Sequence, residues 1–463
     1  MDYIRSFDIR LDKDVYYAGE SVTGHVFLEN IENFKVKGIR VVLRGKAHAE
    51  WKIMKSGERR TVKDDQYLLD DKSVIWGKDK HEDDTNIPIL PRGMHQFPFT
   101  FQLPQSALPC SFESKAGTIR YYIKVVIDVA YASPPQGIKY FTVVGPFIDC
   151  MDEKYLTPMV GYERKTDCCL CCKRGPLSLR MTLERTAYVC GERIRLHADV
   201  ENRTEQARTI KVKVTQYVEY FIDKGVLGVS RCSTYTVLEH RSPRIAPQSV
   251  IKYDSTLEQP IRLPVVPPTL IGACRLIQIY YVLKACLEGE KSNEDLHMDF
   301  PFTVATSPFR IPNSDLPVII EHECCSSHVE GGMYISPEFQ LGQVYDGALR
   351  DQENVLLYRP VYARVPEQGG ARGSVDMTAA ITATLAAQRL ENEQRMEPKK
   401  GEKSKSGRLA VKSPLEANSD PFDASPNEQK SLLENGIDNQ EVTVDMHQED
   451  TVTTNLNIEA DAV

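Results

Sequence analysis

Several absences narrow the reading of this chain before any motif is considered. No apolar run approaches the roughly 20 residues that a helix needs to cross a bilayer. The opening Met1-Asp2-Tyr3-Ile4-Arg5-Ser6 has neither the basic n-region nor the apolar h-region of a signal peptide. A cytoplasmic chain is therefore expected, with its 12 cysteines reduced rather than joined as disulfides. Positive charge is not in surplus: the net charge of −8 offers no footing for nucleic-acid binding. Catalytic signatures are missing as well. There is no nucleophile elbow, Walker loop, dinucleotide fingerprint or His-Glu-x-x-His helix. Neither an enzyme nor a cofactor is expected.

What is present is a repeat. Tyr16-Tyr17-Ala18-Gly19-Glu20 leads into an alternating run through Val22, Gly24, Val26 and Leu28 and closes on Glu29-Asn30. Tyr188-Val189-Cys190-Gly191-Glu192 leads likewise through Ile194, Leu196, Ala198 and Val200 to Glu201-Asn202, without a gap. Period-two alternation predicts a strand with one buried face. Two copies in 463 residues predict two related β domains. Glu20 and Glu192 read as turn carboxylates, and His25 and His197 as residues of the solvated face.

Further pairs keep nearly the same order. Ile210-Lys211-Val212-Lys213-Val214 answers Ile39-Arg40-Val41-Val42-Leu43, and Tyr280-Tyr281-Val282 answers Tyr121-Tyr122-Ile123. Phe302-Thr303-Val304 answers Phe141-Thr142-Val143. Phe97, Phe99, Phe101 and Leu103 alternate as a half-buried strand does, whereas Ile119 to Val129 is apolar enough to be buried on both faces. Glu50 to Asp84 is a charged excursion, expected as a hairpin plus an exposed loop. Its basic residues Lys52, Lys55, Arg59 and Arg60 suit anionic lipid or a phosphorylated tail, or simply a solvated face. Short strands without helices predict antiparallel sandwiches. From about Pro366 aromatics almost vanish, leaving only Phe422. That composition predicts a disordered regulatory tail, relieved by a short helix over Met377 to Met396.

The Gly-Glu repeat, the Tyr-Tyr strands and the twin Phe-Thr-Val strands resemble an arrestin fold. The hinge Cys168-Cys169-Leu170-Cys171-Cys172-Lys173-Arg174-Gly175-Pro176, leading into Glu184-Arg185-Thr186-Ala187-Tyr188, is similar to the α-arrestins, or arrestin-domain-containing proteins. Ser336-Pro337-Glu338-Phe339 and Val344-Tyr345-Asp346-Gly347 resemble the segment that follows the domains in that family. Cys190 departs from it, standing where relatives commonly have proline before Gly-Glu. The resemblance implies an all-β fold of two tandem arrestin-like, immunoglobulin-type sandwiches followed by a disordered tail. The expected divisions are sandwiches at 5–150 and 176–310, a Cys-rich hinge at 151–175, a post-domain segment at 311–365 and the tail at 366–463.

The resemblance also implies a trafficking adaptor in the cytoplasm, recruited to the plasma membrane and endosomes. Such a protein binds membrane receptors or transporters and recruits HECT-type ubiquitin ligases through Pro-Pro-x-Tyr peptides that fit the aromatic groove of a WW domain. Here Arg359-Pro360-Val361-Tyr362 keeps only the second proline and the tyrosine, so Pro360 and Tyr362 form a degenerate WW site. Clathrin adaptors are a second class of partner. Asp420-Pro421-Phe422 matches the Asp-Pro-Phe ligand of their appendages, and Glu428 with Leu432-Leu433 matches an acidic dileucine signal. Cys168, Cys169, Cys171 and Cys172 beside Lys173-Arg174 suit S-acylation and peripheral membrane association. Their overlapping Cys-x-x-Cys pairs cannot all reach one tetrahedral zinc, and ordinary reduced thiols remain the plain alternative. A sorting-complex subunit of retromer type and a thioredoxin-interacting redox regulator are the other functions weighed. The second lacks a cysteine between Cys232 and Cys274.

Overall fold

The computed structural model describes residues 3–396, apart from 56, 80–85, 131–132, 167, 170–171, 174, 224–227, 258–259, 290–293, 312–317, 326–334, 337–355, 358 and 367–376. Strands dominate, and they form two sandwiches in tandem. In the first, Ile4–Leu11, Ser21–Asn30 and Gly93–Gln102 make one sheet. The second sheet runs from Val15–Tyr17 through Gln136–Val144, Gly117–Val129 and Phe34–Lys55 to Glu58–Gly77. The layers touch where Gly137 leaves room for Phe7: a Cβ there would come within 2.9 Å of the Phe7 ring. Val22, Val26 and Leu28 point into this core, as their alternation requires.

The second sandwich repeats the plan. Met159–Lys165, Leu177–Leu183, Leu196–Asn202 and Ser249–Asp254 form one sheet. The other runs Ala187–Tyr188, Glu294–Val304, Ile277–Glu288, Thr209–Ile222, Val229–Arg241. Duplication reaches individual hydrogen bonds. In the first turn Tyr17 N donates to Glu20 Oε2 at 3.0 Å, and in the second Val189 N donates to Glu192 Oε2 at 2.8 Å. Both carboxylates cap their own turns, with Gly19 and Gly191 at φ of +83° and +86°. Glycine is favoured there because that backbone region strains a side chain with a Cβ. Asn30 donates across to the Pro91 carbonyl at 2.7 Å, and Asn202 to that of Ala246 at 3.1 Å. One core tyrosine in each domain donates to a proline carbonyl, Tyr121 to Pro109 at 2.8 Å and Tyr281 to Pro267 at 2.5 Å.

That last pair corrects the sequence alignment by one residue. Tyr121 lies opposite Phe141 and Tyr281 lies opposite Phe302, so Tyr281, not Tyr280, is the counterpart of Tyr121. A Tyr-Tyr doublet places one ring inward and one outward in either register, so the doublet alone cannot reveal which is which. Two other expectations also change. Gly117–Val129 is fully buried on one face only; Arg120, Tyr122 and Lys124 on the other face are half-buried. The strands are not uniformly short, because Phe34–Lys55 spans 22 residues and pairs with the 20 of Glu58–Gly77 as one long hairpin.

The tail composition cannot support an isolated fold, yet Met377–Met396 forms a helix by docking on residues it does not itself supply. Ile381, Thr384, Leu385 and Gln388 make its inward stripe, spaced by three and four. Ile381 and Leu385 join a second apolar cluster with Cys150, Leu156, Val189 and Phe309. Gln388 Nε2 donates to the Met151 carbonyl at 2.7 Å. No helix among the described residues is long and apolar enough to cross a membrane.

Replacing Tyr121 with Phe strands the buried Pro109 carbonyl without altering ring packing. Chemical denaturation is expected to show a loss of about 1–3 kcal/mol; a loss within error would mean the hydroxyl contributes nothing net.

Candidate functional site at the domain junction

The two sandwiches meet along a seam with three zones. The first is the hinge. The end of the first domain runs beside the end of the second: Ser307 N donates to Ile148 O at 2.9 Å, and Cys150 N donates to Ser307 O at 3.0 Å. Arg310 closes this contact on Asp149 at 2.6 Å. Beneath lies a buried cation. Every residue from Leu183 to Cys190 is buried, Arg185 among them. Its guanidinium pairs with Glu192 at 3.0 Å and donates to the Ala187 carbonyl at 3.0 Å. It stacks 4.1 Å from the Tyr188 ring centre and 5.4 Å from that of Phe309. Burial acts to lower the Arg185 pKa, but Glu192 and its other neighbours outweigh burial and the net displacement is upward. The cation is kept. Burial, with Glu192 nearby, pushes the neighbouring Cys150 thiol upward, so this cysteine stays protonated.

The second zone lies partway along the long hairpin, where Asp64 pairs with Ala49. Asp64, its side chain 8% exposed, pairs with Arg275 of the second domain at 3.1 Å, and Arg275 also holds Asp223 at 3.1 Å. Its hydrogen bonds to the carboxylates of Asp223 and Asp64 hold the Arg275 guanidinium above its ordinary pKa despite partial burial. Arg275 N donates to Gln66 Oε1 at 2.9 Å, and Tyr220 OH donates to Ser114 Oγ at 2.8 Å. Gly117 permits this approach, since a Cβ there would sit 2.9 Å from both Ile277 and Tyr220. A cavity at this seam, between Ser114 and Gln216, has room of about 20 Å³, enough for one water and no organic substrate.

The third zone is a strap from beyond the second domain. Glu321–Cys324 pairs antiparallel with Val361–Arg364. Tyr17 OH and His322 Nε2 lie 2.8 Å apart, which ties the strap to the first domain. Burial lowers the His322 pKa, so its imidazole is favoured neutral. Tyr362, 4% exposed, donates to the Ser111 carbonyl at 3.2 Å, again in the first domain. Val365 N donates to Cys190 O at 2.8 Å in the second domain, and a Cβ on Gly191 would stand 2.2 Å from the Val365 carbonyl. Cys190 is buried and exchanges weak sulfur contacts with Val266 at 3.4 Å, so this cysteine is a packed core group. Burial pushes its thiol up to about 12.

These placements separate the expected site residues. Pro360 and Tyr362 are both buried within the strap rather than presented as a free peptide. Lys52, Arg59 and Arg60 are exposed at the far end of the long hairpin, beside Met54 at 66% exposure. The backbones of Cys168–Cys169 and Cys172–Lys173 pair antiparallel, while Cys171 lies outside the described residues. Asp420, Pro421, Phe422, Glu428, Leu432 and Leu433 lie outside them as well. Among the described residues no group of three or more His, Cys, Asp or Glu is placed to hold a metal. Sequence reasoning missed Arg185 as a buried cation. A single charge pair inside an otherwise uninterrupted buried run was the available signal. The Asp64–Arg275 pair had none, because its partners are 211 residues apart.

A double-mutant cycle on Asp64→Ala and Arg275→Ala is expected to show a coupling of about 1 kcal/mol, limited by the partial exposure of Arg275. Additive effects in denaturation would remove this ion pair from the forces joining the domains.

The arrangement agrees with known proteins. Residues 7–149 match the family model of the arrestin (or S-antigen) N-terminal domain, and residues 173–309 match that of the arrestin C-terminal domain. Arrestin domain-containing protein 4 of Mus musculus is 26% identical over 303 residues, covering 64% of this chain and 70% of that protein. Arrestin domain-containing protein 17 of Caenorhabditis elegans is 27% identical over 315 residues, covering 64% and 68%. Thioredoxin-interacting protein of Pongo abelii is 23% identical over 305 residues, covering 65% and 75%. With two sandwiches that share the Gly-Glu turn, asparagine and core-tyrosine hydrogen bonds and a family model matched on each, the chain belongs to the α-arrestin family.

Proposed function

We propose that this chain is a trafficking adaptor that links membrane receptors or transporters to ubiquitination and to endocytic and endosomal sorting machinery. The observation that carries the reading is the division of labour along the chain. A tandem arrestin body, joined across its seam by Asp64–Arg275 and Tyr220–Ser114, is followed by a segment carrying short peptide motifs. A joined body offers a broad surface for cargo. The exposed basic tip at Lys52, Arg59 and Arg60, with Met54 beside them, suits the anionic face of a membrane from which cargo projects. Asp420-Pro421-Phe422 and Leu432-Leu433 would recruit clathrin adaptors by filling small apolar pockets. Recruitment would bring the cytoplasmic chain to the plasma membrane and endosomes, with S-acylation at Cys168, Cys169, Cys171 and Cys172 as one means of retention.

The thioredoxin-interacting relative raises a redox alternative that four of the described thiols do not favour. Cys110, Cys190 and Cys274 are buried, and burial pushes each thiol upward. Cys232 is exposed, yet partial burial and then Glu219 raise its thiol too, the wrong direction for a reactive thiolate.

Capture of the full chain by a purified clathrin-adaptor appendage domain is expected to fall at least tenfold on Phe422→Ala, with Leu432 and Leu433 intact. Undiminished capture would sink that motif. Co-purification as a fixed-stoichiometry sorting complex would replace the adaptor reading with a retromer-type one.

A further inference from the structure

Tyr362 occupies two incompatible roles, and the conflict defines a control point. A WW domain takes its peptide as an extended, isolated strand with the proline and tyrosine rings laid into an aromatic groove. In this chain every recognition element of Arg359–Tyr362 except Arg359 is already engaged. Pro360 is buried, and the Tyr362 ring is 4% exposed with its hydroxyl on the Ser111 carbonyl at 3.2 Å. The backbone of Val361–Arg364 is paired along Glu321–Cys324. Arg364 forms an ion pair with Glu323, and Val365 N is committed to the Cys190 carbonyl. No groove can reach these rings while the strand is in place.

We propose that the degenerate WW site is held closed by docking at the domain junction, so that ligase binding and strap docking exclude each other. The proposal rests on the adaptor reading and adds its regulation. The closing element extends past the strand. Residues 365–376 join it covalently to the helix Met377–Met396, whose Ile381 and Leu385 pack on the cluster of Cys150, Leu156, Val189 and Phe309. Gln388 and Arg389 fasten the helix to Met151 O at 2.7 Å and to Glu153 at 3.6 Å. Each anchor keeps the other at high effective concentration, so loss of the helix weakens the closure of the strand. The paired strap also bridges both domains, with Tyr362 on Ser111 and His322 on Tyr17 on one side and Val365 on Cys190 on the other. Opening it therefore couples ligase access to the state of the junction.

The test compares four ligands for one purified WW domain from a HECT-type ligase, by calorimetry. They are a synthetic peptide of residues 355–366, the full chain, and the full chain carrying Ile381→Asp or Leu385→Asp. The peptide is expected to bind, the full chain at least tenfold more weakly, and each helix variant at close to peptide affinity. Tyr362→Ala should abolish binding in a helix variant. Hydrogen exchange on the same samples should show faster exchange at Val361–Val365 in both helix variants, with exchange in Gly117–Val129 unchanged, which establishes that the domains remain folded. Equal affinity of peptide and full chain overturns the closure and leaves ligase recruitment standing. A peptide that does not bind overturns ligase recruitment at this site and the closure with it. Helix variants that stay weak, with exchange at Val361–Val365 unchanged, overturn the role of the helix.

Discussion

The buried pair Arg185–Glu192 is the constraint on which the junction is arranged. A guanidinium taken out of water must be answered fully, and removing one partner of such a pair costs about 3–5 kcal/mol. Here the answers come from separate parts of the second domain: the Glu192 carboxylate, the Ala187 carbonyl and the rings of Tyr188 and Phe309. Glu192 can serve only because the Gly191 turn, at φ +86°, brings it back over the strand. In the first domain the matching Glu20, besides capping its own turn, pairs with Lys13 at the surface, at 3.1 Å. One turn has thus been kept twice and used differently. In the first copy it ends a strand; in the second it also neutralises a cation beneath the hinge.

That difference marks what could be read from residues alone. Period-two alternation at Val22–Leu28 and Ile194–Val200 has a single structural meaning, and both runs are buried on the expected face. The Gly-Glu turns were legible because glycine at positive φ and a capping carboxylate are local requirements. The tyrosine doublets were legible as strands but not in register, since register depends on which partner strand lies opposite. The tail helix was legible by composition, but its docking was not. Ile381 and Leu385 amount to two aliphatic residues in a polar segment, and nothing in that segment names Cys150 or Phe309 as their partners.

The candidate site was less legible than the fold for the same reason. Tyr362 was recognised as part of a peptide motif because motifs are contiguous. Its burial depends on Ser111, 251 residues away, and on a neighbouring strand at Glu321–Cys324. Asp64 and Arg275 are each unremarkable as surface charges, and only the approach permitted at Gly117 makes them partners. Contacts that define an interface between two domains leave no period in either domain's sequence. They are a property of the pair.

The floor and the cover of the junction differ in how readily they can be removed. The floor holds a buried ion pair and the main-chain bonds of Ile148, Cys150 and Ser307, so opening it strands charge and backbone polar groups together. The cover is lighter. Full burial of Ile381 is worth about 1.5–3 kcal/mol, and Leu385 is only partly buried. Against this stands the ordering of a 20-residue helix, which is marginal in water on its own. In the strap, Tyr362 and Pro360 regain exposed partners in solution or in an aromatic groove, whereas Arg185 would find no comparable replacement while Tyr188 and Phe309 stay packed. A competing ligand at a free concentration about 100 times its Kd supplies about 2.7 kcal/mol. That is commensurate with displacing the cover and poorly matched to breaking the floor. On the proposed closure, the junction stays joined while its outer layer exchanges.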